Sequence, residues 1–348
     1  MRAFLTFHDC TARSIRVALV TLACVAASIV VSAQKVPLKL VSTAWPPFTD
    51  DAGKARFALD LVETALGRIG LTAKTTIVSP AQFTPSLLTG DFDGSAAAWK
   101  DPERERVLLF SQPYLENRLV LVGRRGTDVS AKTIADLKGK RVAIVEGYSY
   151  GDAIERAGPM FVRSRSEENS LSELLEGNVD YTLMDDLVVQ YLVDNYPKEA
   201  ENRLQIGSTP LITRELYFAV RRTRTDAESL IARFNSQLRG MIADRTYHRL
   251  LHVDWIRADV NGDGIPEDVP LNDRPGPTAP THVYTLLSTT QPKLGVTTDT
   301  PQPSPKPGFY LGGNIYSDWA SVPDSYKEVN PEYPDPRRST GSIFKFSW

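Results

Sequence analysis

The densest run of candidate ligating side chains is Asp259-Val260-Asn261-Gly262-Asp263-Gly264-Ile265-Pro266-Glu267-Asp268. Oxygen donors at alternate positions, followed by glycine for a sharp turn, are how short loops wrap calcium. A complete EF-hand needs a bidentate Glu at its twelfth position, and here that position is Pro270. The run therefore reads either as a smaller calcium loop or as an Asp/Gly turn capping the preceding helix. His248 and His252 are spaced i, i+4, which puts both on one helix face, as zinc ligands need. They lack the His-Glu-x-x-His pattern and flank Leu250 and Leu251, so they read as core or surface histidines. The chain has neither a Gly-x-Ser-x-Gly elbow nor a phosphate-binding loop, and its two cysteines, Cys10 and Cys24, both lie near the start.

That start reads as an export signal. Arg2, Arg13 and Arg16 precede the apolar run VALVTLACVAASIVV at 17–31, and Val31-Ser32-Ala33 offers small residues for cleavage before Gln34. The run is shorter than the roughly 20 residues a permanent span needs. A lipid anchor on Cys24 is the competing reading, weakened by Thr21 and by the apolar stretch continuing past the cysteine. Cleavage after Ala33 leaves a chain without cysteine, and so without disulfides, placed in the periplasm. The formal net charge of −2 gives no bulk attraction to nucleic acid.

Behind the signal, strand and helix patterns alternate from Lys35 to about Ile256. Leu38–Ser42 reads as a buried strand. Phe57, Leu61, Val62, Ala65, Leu66 and Ile69 recur at helical spacing, stopped by Gly70. Ser95–Ala98 is a strand of small residues, open to close backbone approach. The cycle restarts at Ile134–Leu137 (helix) and Arg141–Val145 (strand), with a helix predicted at Gly151–Ala157. Repeated units of this kind predict an α/β fold with mainly parallel sheets. Strands at Arg118–Val122 and Glu215–Val220 would be two crossings between two lobes, the second lobe inserted in the first. A ligand cleft is then expected between the lobes, at the carboxyl ends of strands. The boundaries are 34–122 with 216–257 for lobe one, 123–215 for lobe two, 258–270 for the possible calcium loop and 271–348 for an extension. That extension holds PGPTAP and PQPSPKPG, a linker-like composition, and ends rich in Tyr, Trp, Pro and Asp with few aliphatic residues.

Five blocks occur in a telling order: Trp45-Pro46-Pro47-Phe48, Leu88-Thr89-Gly90-Asp91-Phe92-Asp93, Asp101-Pro102-Glu103-Arg104, Phe110-Ser111-Gln112-Pro113-Tyr114, and Asp136-Leu137-Lys138-Gly139-Lys140-Arg141-Val142. With the signal peptide ahead of them, the chain resembles the family-3 extracellular solute-binding proteins that carry polar amino acids to ABC importers. The resemblance covers about residues 36–256. It implies a two-lobed type II periplasmic-binding-protein fold, a small zwitterionic ligand and the membrane subunits of an importer as partner. It implies a monomer with no required cofactor and no catalysis.

The resemblance also implies roles. Arg104 matches the arginine that grips the ligand carboxylate, a task suited to a forked, permanently charged guanidinium. Asp185 matches the carboxylate that takes the ligand ammonium; Asp186 competes for that place, and either aspartate could instead cap the next helix. Tyr148 and Ser149 fall in the stretch that completes the carboxylate cradle, and Trp45 matches the aromatic over the ligand side chain. Where the family often offers a hydroxyl before the arginine, this chain has Ala96-Ala97-Ala98-Trp99, so Ala98 and Trp99 replace it. With Phe83 and Tyr150 these residues suggest an aromatic-rich pocket. The tail loop resembles single calcium loops of the thrombospondin type-3 or dockerin kind, with Asp259, Asn261, Asp263 and Asp268 as the implied ligands of a structural calcium. Two alternatives stand beside the carrier. One is a dehydratase of the cyclohexadienyl or arogenate type on the same fold, with Glu146 as proton carrier. The other is a sensory or scaffold protein whose tail docks a partner.

Overall fold

The computed structural model describes residues 36–280, apart from 152, 153, 155–157, 252, 262 and 264, and also residues 283–285 and 307–328. The expected signal segment with both cysteines, His252 and most of the helix expected at Gly151–Ala157 lie outside the described residues. The chain alternates much as its periodicity predicts. β1 (Leu38–Thr43), α1 (Phe57–Arg68), β2 (Ala73–Val78), α2 (Pro80–Thr89) and β3 (Gly94–Trp99) come first. A short α3 (Pro102–Glu105) and β4 (Leu108–Phe110) lead into β5 (Leu115–Arg124). Then follow β6 (Arg141–Val145), β7 (Met160–Ser164), α4 (Glu167–Glu176), β8 (Tyr181–Asp185), α5 (Asp186–Asn195) and α6 (Pro197–Arg203). β9 (Leu204–Arg221), α7 (Ala227–Ala243) and α8 (Thr246–Leu251) complete the alternating part. Ile134–Leu137 is a 3-10 turn rather than the expected helix, pinned by reciprocal capping between Thr133 and Asp136.

These strands form a nine-stranded sheet in the order β2-β1-β3-β9-β5-β8-β6-β7, with β4 also on β9. β1 pairs in parallel with β2 and β3, and β6 pairs in parallel with β7 and β8. Antiparallel β5 and β9 join these two parallel sets, as the two predicted crossings require. β9 is long enough, at 18 residues, to run along both: its Leu216–Val220 end pairs with β3 and its Leu204 end with Arg124 of β5. α1 buries the apolar face expected of it, Phe57, Leu61, Val62, Ala65 and Leu66, in the main core.

The region after α8 holds the possible calcium loop and the extension, whose aromatic end the sequence leaves open between packing on the lobes, binding a partner and staying disordered. β10 (Trp255–Ala258), β11 (Glu267–Pro270), β12 (Tyr284–Thr285), β13 (Phe309–Leu311) and β14 (Asn314–Tyr316) make a second, five-stranded sheet in the order β12-β10-β11-β13-β14. The residues it buries include Ile256, Val269 and Leu311, and the half-buried Trp255, Phe309 and Trp319 pack edge to face at centroid separations of 5.1 to 6.2 Å. Tyr284 ties this sheet to β5: its hydroxyl donates to the Glu116 carbonyl, and the Arg118 guanidinium lies 4.7 Å from its ring centre.

His248 makes a second tie, with Nε2 3.0 Å from the Val269 carbonyl. The imidazole is fully buried, and burial pulls its pKa from the ordinary 6.5 down to about 4. Below pH 6.5 the unfolded chain takes up a proton that the folded one refuses, so acid favours unfolding. Melting temperature is therefore expected to fall between about pH 6.5 and pH 4, and His248→Asn to flatten that slope. A His248→Asn protein with the wild-type acid slope would assign the slope to other groups.

Candidate functional site

A pocket open to solvent, about 300 Å³ with the solvent at its mouth included, is lined by Thr43, Trp45, Phe83, Ala97, Trp99, Arg104, Tyr148, Ser149 and Leu216. Thr43 ends β1 and Tyr148 and Ser149 follow β6, so the pocket sits beyond the carboxyl ends of strands in both parallel sets. Trp45 is set by a tight loop: its N–H donates to the Thr49 carbonyl at 2.7 Å, and the Thr49 hydroxyl donates to the Thr43 carbonyl at 2.6 Å.

Arg104 is buried, at 2% exposure, in the short helix α3. Asp101 caps that helix, accepting the Arg104 backbone N–H at 2.8 Å, while Pro102 supplies the first turn. The guanidinium stacks over Phe83 at 5.1 Å. Nη1 donates to the Trp99 carbonyl at 2.8 Å, Nη2 to the Thr84 hydroxyl at 2.7 Å, and Nε lies 3.2 Å from the Asp101 carboxylate. Each Nη thus keeps one N–H with no acceptor among the described residues. Burial draws the pKa of Arg104 down, Asp101 opposes that, and a guanidinium stays charged through any working pH. Asp101 also accepts the Ser149 hydroxyl at 2.6 Å, joining the loop after β6 to α3.

The aromatic expectation is met by a four-ring cluster. Trp45–Trp99, Trp45–Tyr148 and Trp99–Tyr148 centroids are all 5.6 Å apart, and Trp99–Tyr150 are 5.5 Å apart. The Tyr150 hydroxyl accepts the Val145 N–H at 2.9 Å, which fixes the loop to its strand. Trp99 is oriented from behind: its indole N–H donates to Asn117 Oδ1 at 2.7 Å, and Asn117 Nδ2 donates to Asp185 at 3.0 Å.

Of the residues singled out by sequence, Trp45, Phe83, Trp99, Arg104, Tyr148 and Ser149 are brought together. Ala98 is not: its side chain packs with Val41, Leu87, Leu108 and Ala219, and Ala97 lines the pocket instead. Strand alternation carries that signal, since Trp99 and Ala97 share a face and Ala98 takes the other. Asp185 is buried outside the lining, where it caps α5 by accepting the Leu187 N–H at 2.9 Å. Burial first, and then the Asp186 carboxylate, push the Asp185 carboxyl well above the usual range. Glu146 is exposed and also outside the lining. Thr84 and Asn117 carry no sequence signal as site residues, and Asp101 is marked only as the opening of the arginine block; each acts by holding Arg104 or Trp99.

In the tail loop, Asp268 belongs to β11 and receives two bonds from Arg257, at 2.6 and 2.9 Å. Asn261 and Asp263 bond to each other and close turns on the Asp263 and Ile265 N–H groups. Among the described residues, no group of three or more His, Cys, Asp or Glu side chains is arranged to hold a metal ion.

The family model for bacterial extracellular solute-binding proteins, family 3, matches residues 40–257. The chain belongs to that family. This solute-binding protein is 27% identical over 220 residues to ABC transporter arginine-binding protein 1 of Escherichia coli K12, covering 60% of this chain and 86% of the relative. It is 24% identical over 225 residues to the L-cystine-binding protein of the same organism, covering 62% and 80%. A crystal structure of a mutant of ArgBP from T. maritima superposes with a TM-score of 0.51 at 29% identity, over 62% of this chain and 93% of that one. The architecture is thus the two-lobed type II α/β one. The family match ends at Arg257, so the second sheet lies almost wholly beyond it.

Proposed function

We propose that this protein is an exported, periplasmic carrier that closes on a zwitterionic amino acid and delivers it to the membrane subunits of an ABC importer. It acts as a monomer and performs no chemistry on its cargo. The lobes are residues 34–122 with 216–257, and 123–215, closing by hinge motion on β5 and β9. The observation that carries this reading is Arg104: a buried cation in the pocket wall, held by three neighbours, with one free N–H on each Nη. That fork matches both oxygens of a carboxylate. Trp45, Trp99 and Tyr148 enclose the rest of the ligand and present faces that suit an ammonium group. The relatives named for arginine and cystine binding support an amino acid as the cargo class.

Thermal unfolding against a panel of amino acids, organic acids and amines tests it. A ligand at 100 times its dissociation constant adds about 2.7 kcal/mol to a two-state fold, so a true cargo raises the melting temperature visibly. At least one amino acid is expected to do so and to be recovered unchanged. A panel in which only carboxylate-free amines stabilise the protein would remove Arg104 from the reading.

A further inference from the structure

One residue beyond the family match reaches the strands on which the lobes move. β8 joins β5 only from Leu119 onward, and β3 joins β9 only from Leu216 onward. Between those points Glu116, Asn117 and Arg118 of β5 pair with Glu215, Arg214 and Thr213 of β9, and among the described residues no third strand flanks them. A two-stranded ribbon is where a sheet twists most readily. Tyr284 of β12 is buried against this ribbon: its hydroxyl donates to the Glu116 carbonyl, and its ring centre lies 4.7 Å from the Arg118 guanidinium.

Strand alternation puts the Asn117 side chain on one face of the ribbon and that of Arg118 on the other. Asn117 holds the pocket residue Trp99 at 2.7 Å and Asp185 at 3.0 Å. Arg118 holds Tyr284, and its Nε lies 2.9 Å from the Asp186 carboxylate at the start of α5. Neighbouring residues of one strand thus serve the pocket and the extension. The rest of the second sheet is fixed to lobe one. His248 of α8 meets the Val269 carbonyl, and the Arg245 guanidinium lies 5.6 Å from the Tyr310 ring centre and 3.1 Å from the Asp273 carboxylate. Tyr284 therefore links a sheet fixed to lobe one with an arginine ion-paired to lobe two.

Tyr284 makes these contacts with the lobes closed on each other. Across the pocket the Ser149 hydroxyl donates to Asp101 at 2.6 Å, and the Trp45 and Tyr148 ring centres are 5.6 Å apart. Gly147 lies so near α2 that a Cβ built on it would stand 2.6 Å from the Pro80 carbonyl oxygen. Parting the lobes twists the ribbon and carries the Glu116 carbonyl and Arg118 away from a ring that the second sheet holds still. Only a contact that differs between two arrangements shifts their balance, and this one does. We propose that Tyr284 is a positioning residue that braces the crossing strands in the closed arrangement, so that the extension sets how far the lobes part and how readily the pocket empties. This rests on the hinge closure proposed above and is independent of which cargo the pocket takes.

Pulsed electron-spin distance measurement on the full exported chain, with no amino acid added, tests this. Nitroxide labels on Lys74→Cys of β2 and Glu176→Cys of α4, both exposed, report the spacing of the lobes. The wild type is expected to show mainly the shorter, closed spacing. Tyr284→Ala should raise the ratio of open to closed by about fivefold or more, and Arg118→Lys, which keeps a charge beside Asp186 but no flat face against the ring, should act the same way. Tyr284→Phe keeps the ring and loses only the hydroxyl bond, so a rise of about twofold is expected. A merely structural role for Tyr284 would lower the melting temperature and leave the spacings as they are. Wild-type spacings in folded Tyr284→Ala and Arg118→Lys overturn the brace, and where Tyr284→Ala does not fold, wild-type spacings in Tyr284→Phe and Arg118→Lys do so. A wild type already at the longer spacing overturns it too. No ligand enters the measurement, so failure of the amino-acid reading, seen in the thermal panel, stays separate.

Discussion

Replacing Arg104 by lysine is expected to weaken amino-acid binding by about 100-fold, although the charge is kept. A lysine ammonium is a point charge on a flexible stem and cannot offer the parallel pair of N–H donors that the guanidinium holds free. Hydrogen bonds to charged groups contribute about 1.5–3 kcal/mol each, so losing one of two and misplacing the other comes to roughly 3 kcal/mol. Lysine also brings a single nitrogen to the place where Nη1 and Nη2 separately bond the Trp99 carbonyl and the Thr84 hydroxyl. Arg104→Ala should bind more weakly still. It should also melt lower, because it empties a buried site over Phe83 and leaves the Trp99 carbonyl without its donor. Calorimetric titration gives the affinities and a melt in the absence of ligand gives the stability. Affinity of Arg104→Lys within threefold of the wild type would move the carboxylate elsewhere in the pocket.

The second large effect concerns the strand that carries the pocket wall. A Cβ built on Gly94 would lie 1.9 Å from the Ala219 carbonyl oxygen and 2.9 Å from the Val220 Cα. Both are backbone atoms of β9, paired with β3 at this point, so no side-chain rotation relieves the clash. Gly94→Ala must part the two strands, and the cost is expected to be about 3 kcal/mol or more. That corresponds to a fall in melting temperature of roughly 6 °C or more for a chain of this size. Ligand affinity should fall with it, since Ala97 and Trp99 lie on the same strand. Gly67 is the control. It is inside α1 with nothing within 4 Å of its Cβ position, and Gly67→Ala is expected to be neutral or stabilising by about 0.5–1 kcal/mol. If Gly94→Ala melts within about 1 °C of the wild type, the close approach of β9 does not constrain β3.

The two glycines illustrate what was legible in the chain and what was not. Small residues from Ser95 to Ala98 announce close backbone approach, and the structure delivers it next door at Gly94. Periodicity gives α1 its buried face because a helix face is a local property. The pocket residues with motif blocks around them, Trp45 and Arg104, are legible for the same reason. Glu167, half-buried and outside the pocket lining, is not: in Ser166-Glu167-Glu168-Asn169 it looks like a solvated helix start, yet its carboxyl lies beside the distant Trp45 indole. Asn117 carries no signal because its partners, Trp99 and Asp185, lie 18 and 68 residues away. The second sheet is hidden by length: β12 has two residues and β13 and β14 three each, too few to show alternation. Its buried members, Ile256, Val269, Leu271, Leu311 and Val322, are few and scattered along the chain, so no local periodicity announces them.

The arrangement of indoles gives the molecule an optical probe of its own. Among the described residues there are four tryptophans, and they fall into two kinds of surroundings. Trp45 and Trp99 meet at 90° in the pocket wall, where a bound molecule changes what touches them. Trp255 and Trp319 are packed against Phe309 of the second sheet, and none of the three lines the pocket. Ultraviolet emission and circular dichroism of the unlabelled protein therefore divide into a component that responds to cargo and one that stays as an internal standard. Loading and release can be timed in a stopped-flow cell without attaching a dye.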